Sequence, residues 1–259
     1  MGYKTKVDWC DSTWSPVTGC LHGCEYCYAR RIATRYSGCD SPDEKGIITQ
    51  NLKYAELSEP LTVTWYDGIT RKAPYPFGFT PTFHKYRLDI PSKWTKPRTI
   101  FVCSMADLFG DWVPLEWIIE VMYACLKAPQ HRYLFLTKAP WRYYSLAALG
   151  LLPSSENFWF GSSTPTPGTR YYYSNNVNTF VSIEPIHEPF GMWAFPTPNQ
   201  LPRWIIIGAE TGNQRGKIVP QKSWVDEIAD QAKSYGIPVF MKSSLNEIMG
   251  DDFRQEFPW

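Results

Sequence analysis

Three cysteines lie within eight residues near the start of the chain, in the segment CLHGCEYC, and they are Cys20, Cys24 and Cys27. Thiolates at this spacing are typical ligands of zinc or of an iron–sulfur cluster. A structural zinc site takes four ligands, so a fourth would have to come from His22, Cys10 or Cys39. A cubane cluster has four irons, and three thiolates would leave one iron open to a further ligand.

The composition is typical of a globular protein of a reducing compartment. The 259 residues are enough for one large core, and we expect a single domain over residues 1–259. The seven cysteines are an odd number, so they cannot all pair within one chain, and we expect a cytoplasmic protein. The first eleven residues lack the apolar core of a signal peptide, and no apolar run reaches the length of a membrane span.

The net charge bears on the kind of partner. The chain has 26 Lys and Arg residues against 25 Asp and Glu residues, which gives a formal charge of +1. A protein that follows a nucleic-acid backbone usually carries a basic surface. The balance therefore argues against nucleic acid as a partner, although a local basic patch would be compatible with it.

Short apolar runs of up to six residues, rich in Val, Ile, Phe and Trp, recur from residue 99 onward. Such nearly continuous hydrophobicity predicts strands buried on both faces, as in a parallel sheet. The runs are Thr99–Ser104, Tyr133–Thr137, Phe158–Ser163, Thr179–Glu184, Trp204–Gly208 and Pro238–Lys242. The segment Thr13–Thr18 is predicted to supply a first strand directly before the cysteines.

Two intervening segments have the spacing of amphipathic helices. Pro114–Lys127 begins with a proline suited to a first helical turn, and Ser223–Tyr235 begins with Ser-x-x-Asp, which resembles a capping box. Strands that alternate with helices predict βα units. The expected fold is therefore α/β, with six or seven parallel strands in a partial barrel.

A proline-rich region interrupts this alternation after the first helix, from about residue 37 to residue 98. We predict an insertion there. Long loops in compact domains are uncommon and often functional. Two alternatives stay open, a surface excursion or a cover over the active site.

Polar side chains follow six successive predicted strands. In parallel βα folds, ligands bind at the carboxyl ends of the strands. The polar residues at these ends are Ser104 with Asp107, Thr137 with Lys138, Ser162 with Ser163, Glu184, Glu210 and Lys242. Any one of them could cap a helix or form a salt bridge, but together they favour a shared pocket.

The pattern Cys-x3-Cys-x2-Cys between a predicted strand and a predicted helix, with Tyr26 before the third cysteine, resembles the signature of the radical SAM enzymes. Other segments extend the resemblance to a family of small stand-alone radical SAM proteins of phages and bacteria. They are DSTWSPVTGC (11–20), IFVCSMADLF (100–109), VSIEP (181–185) and WIIIGAE (204–210). Within that family the chain looks like the queuine lyase branch.

The chain also departs from the wider family at three places. Where that family tends to have Asn, His and a Gln-Trp pair, this chain has Cys103, Gly110 and Ser243-Ser244. These differences imply a re-shaped substrate pocket.

The resemblance implies a partial (β/α)6-like radical SAM barrel with a 4Fe-4S cluster on Cys20, Cys24 and Cys27. S-adenosylmethionine would bind the open iron, and its reductive cleavage would give a 5′-deoxyadenosyl radical. The cluster would receive its electron from a donor such as flavodoxin or ferredoxin. The residues expected near S-adenosylmethionine are Tyr26, Ser104, Lys138, Ser162 and Gly208.

The queuine lyase resemblance implies a small-molecule substrate, a queuine-like 7-deazaguanine. Its aminomethyl arm carries a cyclopentenediol, and cleavage of the C–N bond between the arm's nitrogen and that ring would give 7-aminomethyl-7-deazaguanine. A carboxylate can accept two parallel hydrogen bonds from the guanine-like edge of such a base. The acids available at strand ends are Asp107, Glu184 and Glu210. The diol of the arm needs polar partners, for which the candidates are His84, Asn51 and Ser163.

Two rival functions stay open at this point. One is a radical SAM enzyme that repairs or modifies nucleic acid, akin to spore photoproduct lyase, and the near-neutral charge counts against it. The other is a non-catalytic zinc-binding module. A brown anaerobic preparation would favour a cluster, whereas a zinc protein would be colourless.

Overall fold

The computed structural model describes residues 5–37, 53–64, 68–191, 200–211 and 218–259. Asn51 and Cys39 lie outside these residues. The strands are β1 (Ser12–Trp14), β2 (Val17–Thr18), β3 (Ala55–Leu57), β4 (Thr62–Thr64), β5 (Thr70–Lys72), β6 (Thr82–His84), β7 (Thr99–Val102), β8 (Arg132–Thr137), β9 (Phe158–Ser163), β10 (Asn178–Ile183), β11 (Ile205–Ile207) and β12 (Val239–Met241). The helices are α1 (Tyr28–Arg35), α2 (Leu115–Leu126), α3 (Trp141–Ala148), α4 (Lys222–Ser234) and α5 (Asn246–Met249). Each helix of the described segments is too short or too polar to cross a lipid bilayer.

Seven of the described strands join in one sheet, in the order β1-β7-β8-β9-β10-β11-β12. β1 pairs with β7 in parallel, and the strands from β8 to β12 pair in parallel with their neighbours. Helices α2, α3 and α4 follow β7, β8 and β11 in sequence, as βα units require. This arrangement confirms the predicted α/β fold and is consistent with a partial radical SAM barrel.

Each of the six apolar runs contains a strand, and the predicted bounds differ from the observed ones by at most two residues. The largest difference is at β7, which ends at Val102. Cys103 follows with a φ of +57°, in the left-handed region that turns the backbone out of the ladder.

The prediction of one strand over Thr13–Thr18 is wrong. β1 belongs to the seven-stranded sheet, whereas β2 pairs antiparallel with β6 in a separate sheet. Pro16 lies between the two strands and has no N–H to continue a ladder, while its carbonyl accepts a hydrogen bond from the N–H of His84 (2.7 Å). The proline therefore redirects the backbone from one sheet to the other.

The chain divides into two compact units. The cysteine unit is Ser12–His131, and the C-terminal unit consists of Met1–Asp11 and Arg132–Trp259. The expectation of a single domain over the whole sequence stays a prediction.

In the C-terminal unit, α4 packs its apolar face against β10, β11 and β12. The residues that α4 contributes to this core are Val225, Ile228, Ala229 and Ala232. The predicted capping box at its start is wrong, because the N-cap residue makes no hydrogen bond to the helix through its side chain. Asp226 accepts hydrogen bonds from Nζ of Lys222 (3.0 and 2.9 Å) instead, one turn earlier on the same helix.

In the cysteine unit, the described part of the insertion contributes to the core. β6 lies between β2 and β3 in a three-stranded sheet, and β4 pairs with β5 in a hairpin. Thr82, Phe83 and His84 of β6 are all buried. The insertion is therefore more than a surface excursion, and its role as a cover over an active site stays a prediction.

Candidate functional site

The three cysteines of the motif lie on the segment that joins β2 to α1. Gly19 begins this segment with a φ of +88°, and a Cβ there would lie 2.4 Å from the carbonyl oxygen of Thr80, so no larger residue fits. Cys27 is the N-cap residue of α1, and its Sγ accepts a hydrogen bond from the backbone N–H of Arg30 (3.3 Å). The helix thus holds the third cysteine in a defined position.

All three thiols are unpaired and partly exposed. Burial raises the pKa of Cys20 to about 12, and the negative charges of Asp107, Cys24 and Cys27 act in the same direction. A thiolate at this position therefore needs the positive charge that a metal centre supplies. Within the described ranges, no three His, Cys, Asp or Glu side chains lie close enough together to hold a single metal ion. Three thiols on one segment are nevertheless the residue types and the number that an open-iron cluster takes.

His22, inside the cysteine segment, pairs with one of the predicted strand-end acids. Its Nε2 lies 2.7 Å from Oδ2 of Asp107, and the other carboxylate oxygen accepts from the N–H of Phe109 (3.1 Å). The side chain of Asp107 is only 7% exposed. A neutral imidazole that faces a carboxylate must donate from Nε2, so this contact fixes the tautomer of His22.

Trp112 occupies the space beside Gly110, one of the positions where the sequence departs from the wider family. A Cβ at Gly110 would lie 2.3 Å from Cζ2 of the indole. The same indole packs edge-on against the imidazole of His22, with ring centroids 4.8 Å apart. Glycine at position 110 therefore admits a tryptophan that supports the cysteine segment.

Two predicted cofactor residues, Ser104 and Tyr26, also lie in the cysteine unit. The carbonyl of Ser104 accepts a hydrogen bond from the hydroxyl of Tyr28 (2.7 Å), and its Oγ lies 3.4 Å from Oγ of Ser15. Ser104 thereby contacts the first residue of α1. Tyr26 is partly buried on the cysteine segment. Contact of either residue with S-adenosylmethionine stays a prediction.

His84, a candidate for the substrate diol, is fully buried. Its Nε2 lies 2.9 Å from Oγ1 of Thr18, and its Nδ1 lies 3.2 Å from the hydroxyl of Tyr86. Burial, assisted by the positive charge of Arg87, lowers the pKa of His84 to about 3. Both ring nitrogens have partners within the protein, so the structure explains His84 as a core residue, and its contact with a substrate stays a prediction.

In the C-terminal unit, Ser162 and Ser163 project to opposite faces of the sheet, because successive side chains alternate along a strand. Oγ of Ser162 is buried and accepts from the N–H of Tyr172 (2.9 Å). Oγ of Ser163 accepts from Nζ of Lys138 (2.9 Å). The two hydroxyls therefore do not line one pocket together, although their adjacent places at one strand end favour a shared pocket.

A polar group, here called the serine–lysine group, lies at the carboxyl ends of β8, β9 and β10, and its members are Lys138, Ser163 and Ser182. Ser163 and Ser182 are paired in register, so their side chains share one face of the sheet. Oγ of Ser182 is buried without a hydrogen-bond partner in the part of the sequence that the structure describes. Because an unpaired buried hydroxyl costs about 1–3 kcal/mol, this group is suited to a polar ligand.

Glu184 and Lys242, which follow β10 and β12, form an ion pair between Oε1 and Nζ. Gly208, which follows β11, lies against both side chains, since a Cβ there would be 2.8 Å from Cδ of Lys242 and 3.3 Å from Cγ of Glu184. The structure thus brings together two predicted site residues, Glu184 and Gly208. It also shows that Glu184 forms a salt bridge to Lys242, which is the alternative role for an acid at a strand end.

Glu210 pairs with His187, which is not among the predicted site residues. Its Oε1 lies 2.9 Å from Nε2 of His187, and its side chain is 6% exposed. The second carboxylate oxygen, Oε2, is buried and has no hydrogen-bond partner among the described residues. A buried carboxylate oxygen without a donor is costly, so this atom is a candidate acceptor for a ligand.

Residues 4–246 match the model of a family described as "Protein of unknown function (DUF5131)". The chain belongs to this DUF5131 family. No curated protein matches it. Among solved structures, a mutant of spore photoproduct lyase matches with 12% sequence identity and a TM-score of 0.49, over 93% of this protein and 79% of that one. At that level the likeness supports no conclusion about activity.

Three polar residues of the candidate site, His22, His187 and Ser182, are not among the predicted site residues. His22 was considered only as a zinc ligand, and neither His187 nor Ser182 was considered. The one signal for His187 is its place three residues after Glu184, close behind a strand end. His22 gives no such signal for its pairing with Asp107, because 85 positions separate them in sequence.

Proposed function

We propose that this DUF5131 protein is a radical SAM enzyme that holds a 4Fe-4S cluster on Cys20, Cys24 and Cys27. The observation that carries the proposal is the cysteine segment. Its three thiols are free and partly exposed, and the third cysteine is the N-cap residue of α1. The segment follows β1 and β2 and precedes a helix, as in the radical SAM pattern. The other two thiols described in the cysteine unit, Cys103 and Cys125, are buried and therefore poorly placed to bind a cluster.

Such a cluster, together with S-adenosylmethionine, supplies one-electron cleavage of a carbon–sulfur bond and a radical that takes hydrogen from an unactivated carbon. The residues of this protein have the tasks of binding, orienting and shielding. In the cysteine unit, Asp107 and Trp112 hold the imidazole of His22 and thereby support the segment that carries the three thiols. The electron would come from a soluble donor such as flavodoxin or ferredoxin.

The C-terminal unit has polar groups of its own at the ends of its strands. The serine–lysine group offers an ammonium and two hydroxyls, one of them without a partner among the described residues. The Glu184–Lys242 pair adds one charge of each sign beside Gly208. These groups suit a ligand with carboxylate, amino or hydroxyl groups, which S-adenosylmethionine has.

Within this class we propose that the substrate is queuine and that the enzyme is a lyase. The C–N bond between the nitrogen of the aminomethyl arm and the cyclopentenediol ring would break, so that 7-aminomethyl-7-deazaguanine leaves as one product and the cyclopentene fragment as the other. Three observations support a guanine-like ligand: the resemblance to the queuine lyase branch, the strand-end carboxylates, and the unpartnered Oε2 of Glu210 among the described residues. A carboxylate matches two adjacent N–H donors in charge and geometry.

The test is an anaerobic assay of the purified protein. It is reconstituted with iron and sulfide and then incubated with S-adenosylmethionine, reductant and queuine, and the products are identified by mass spectrometry. We expect 5′-deoxyadenosine and 7-aminomethyl-7-deazaguanine from the wild type, and neither product from Cys24→Ala. Formation of 5′-deoxyadenosine with intact queuine would retain the radical SAM class and reject the substrate. Absence of both would reject the class.

A further inference from the structure

The three strand-end carboxylates differ in how far the protein already satisfies them. Asp107 has both oxygens engaged, one with Nε2 of His22 at 2.7 Å and the other with the N–H of Phe109 at 3.1 Å. Accepting a base at Asp107 would mean breaking a contact that holds the cysteine segment. Asp107 is therefore a structural anchor rather than an open acceptor.

Glu184 is engaged in a different way. Its Oε1 pairs with Nζ of Lys242, and the side chain keeps 27% exposure. An ammonium so close neutralises most of the charge that would attract an N–H donor, and solvent can reach the carboxylate. A ligand edge that carries two N–H donors would compete with both the lysine and water.

Glu210 differs from both of these acids. His187 satisfies Oε1, but Oε2 is buried without a donor in the residues that the structure describes, and the side chain is 6% exposed. A carboxylate oxygen has two lone-pair sites, so Oε1 can also accept a second bond. The arrangement leaves an acceptor edge on Glu210, with the imidazole of His187 fixing the orientation of the carboxylate.

The geometry points to Glu210 as the residue that binds the donor edge of the substrate, with His187 as its positioning residue. This inference rests on the proposed function and names the group that determines the class of base. The ligand must present an amino group next to a ring N–H, as a guanine-like base does. A base that lacks the amino group offers one donor where the carboxylate can accept two.

The experiment measures equilibrium binding of two bases to the reconstituted protein in the presence of S-adenosylmethionine. The probes are 7-deazaguanine and 7-deazahypoxanthine, which differ only in the 2-amino group. We expect the wild type to prefer 7-deazaguanine by about 10- to 100-fold, the value of one hydrogen bond to a charged group. Glu210→Gln should lose this preference, because the amide offers an acceptor on one side only.

A control variant isolates the effect. Glu188→Gln changes an exposed glutamate next to His187 and should keep the full preference. Equal preference in Glu210→Gln and wild type, or its loss in Glu188→Gln, would overturn the inference. The inference would also be overturned if the wild type bound both bases equally or bound neither. This result is independent of whether any variant folds.

A separate readout distinguishes this failure from a failure of the proposed function. Formation of 5′-deoxyadenosine without any base reports on the cluster and S-adenosylmethionine alone. If the wild type and Glu210→Gln both produce it but bind the two bases alike, the radical SAM proposal holds and the role of Glu210 is wrong. If the wild type does not produce it, the proposed function fails, whereas the base preference still decides on Glu210.

Discussion

Nε2 of His22 lies 2.7 Å from Oδ2 of Asp107, and this contact joins the cysteine segment to the residues that follow β7. The same carboxylate accepts from the N–H of Phe109, so it also closes the turn on its own segment. One buried acid therefore organises two segments that are distant in sequence. This role explains an acid at this strand end without any contact to a ligand.

The first prediction concerns this anchor. Asp107→Ala should lower the free energy of unfolding by about 1–3 kcal/mol, because it leaves the buried N–H of Phe109 and the partly buried imidazole of His22 without an acceptor. The measurement is urea denaturation of the apoprotein. Glu25→Ala, which removes an exposed acid from the cysteine segment, is the matched control and should change stability by less than about 0.5 kcal/mol. Equal effects of the two variants would contradict the anchor role.

The second prediction concerns the cluster ligands. Single Ala variants of Cys20, Cys24 and Cys27 should each lose bound iron and acid-labile sulfide, because a thiolate is the ligand and alanine offers none. Cys10→Ala should keep the iron content of the wild type. Iron and sulfide are measured per mole of protein after anaerobic reconstitution. Loss of iron in Cys10→Ala, or its retention in any variant of the motif, would reject the assignment.

Much of the fold was predictable from local sequence. Strands such as β11 and β12 are buried on both faces and consist of apolar residues, so the run itself marks the strand. The division at Pro16 was not predictable in the same way. Val17 and Thr18 are good strand residues, and only their pairing with β6, more than sixty residues away, decides which sheet they join.

The site was predictable only in part, because its contacts are long-range. Strand ends located Glu184, Gly208 and Lys242 at one edge of a sheet, as parallel topology requires. Which acidic side chain pairs with which basic side chain depends on packing that no local sequence pattern encodes. Alternation along β9 could have separated Ser162 from Ser163, since it follows from strand geometry alone.

The third prediction concerns the contact between Gly110 and Trp112. Gly110→Ala should lower the free energy of unfolding by about 1–3 kcal/mol, because a Cβ at 2.3 Å from the indole forces the ring to move. The displaced ring would also lose its edge-on contact with His22. Urea denaturation measures the change.

A double-mutant cycle tests whether the clash is the cause. In a Trp112→Ala background, Gly110→Ala should cost less than about 0.5 kcal/mol, because no indole remains to collide with the new methyl group. If the cost in that background equals the cost in the wild type, the strain lies elsewhere in the turn.

The fourth prediction is a pH dependence that comes from His84. Burial lowers its pKa in the folded protein from the ordinary 6.5 to about 3, with a smaller contribution from Arg87. The unfolded state therefore binds a proton as the pH falls through 6.5, while the folded state does not. The neutral imidazole contributes full stability above pH 6.5, and this contribution decreases as the pH falls toward 3.

Between pH 7 and pH 5, the free energy of unfolding of the wild type should fall by about 2 kcal/mol more than that of His84→Gln. Glutamine keeps polar contacts toward Thr18 and Tyr86 but does not titrate in this range, so any constant loss of stability cancels when the two slopes are compared. The remaining histidines, His22, His131 and His187, are common to both proteins. Urea denaturation of the apoprotein at several pH values gives the slopes. Parallel slopes would show that His84 becomes protonated in the folded state and is not held neutral by burial.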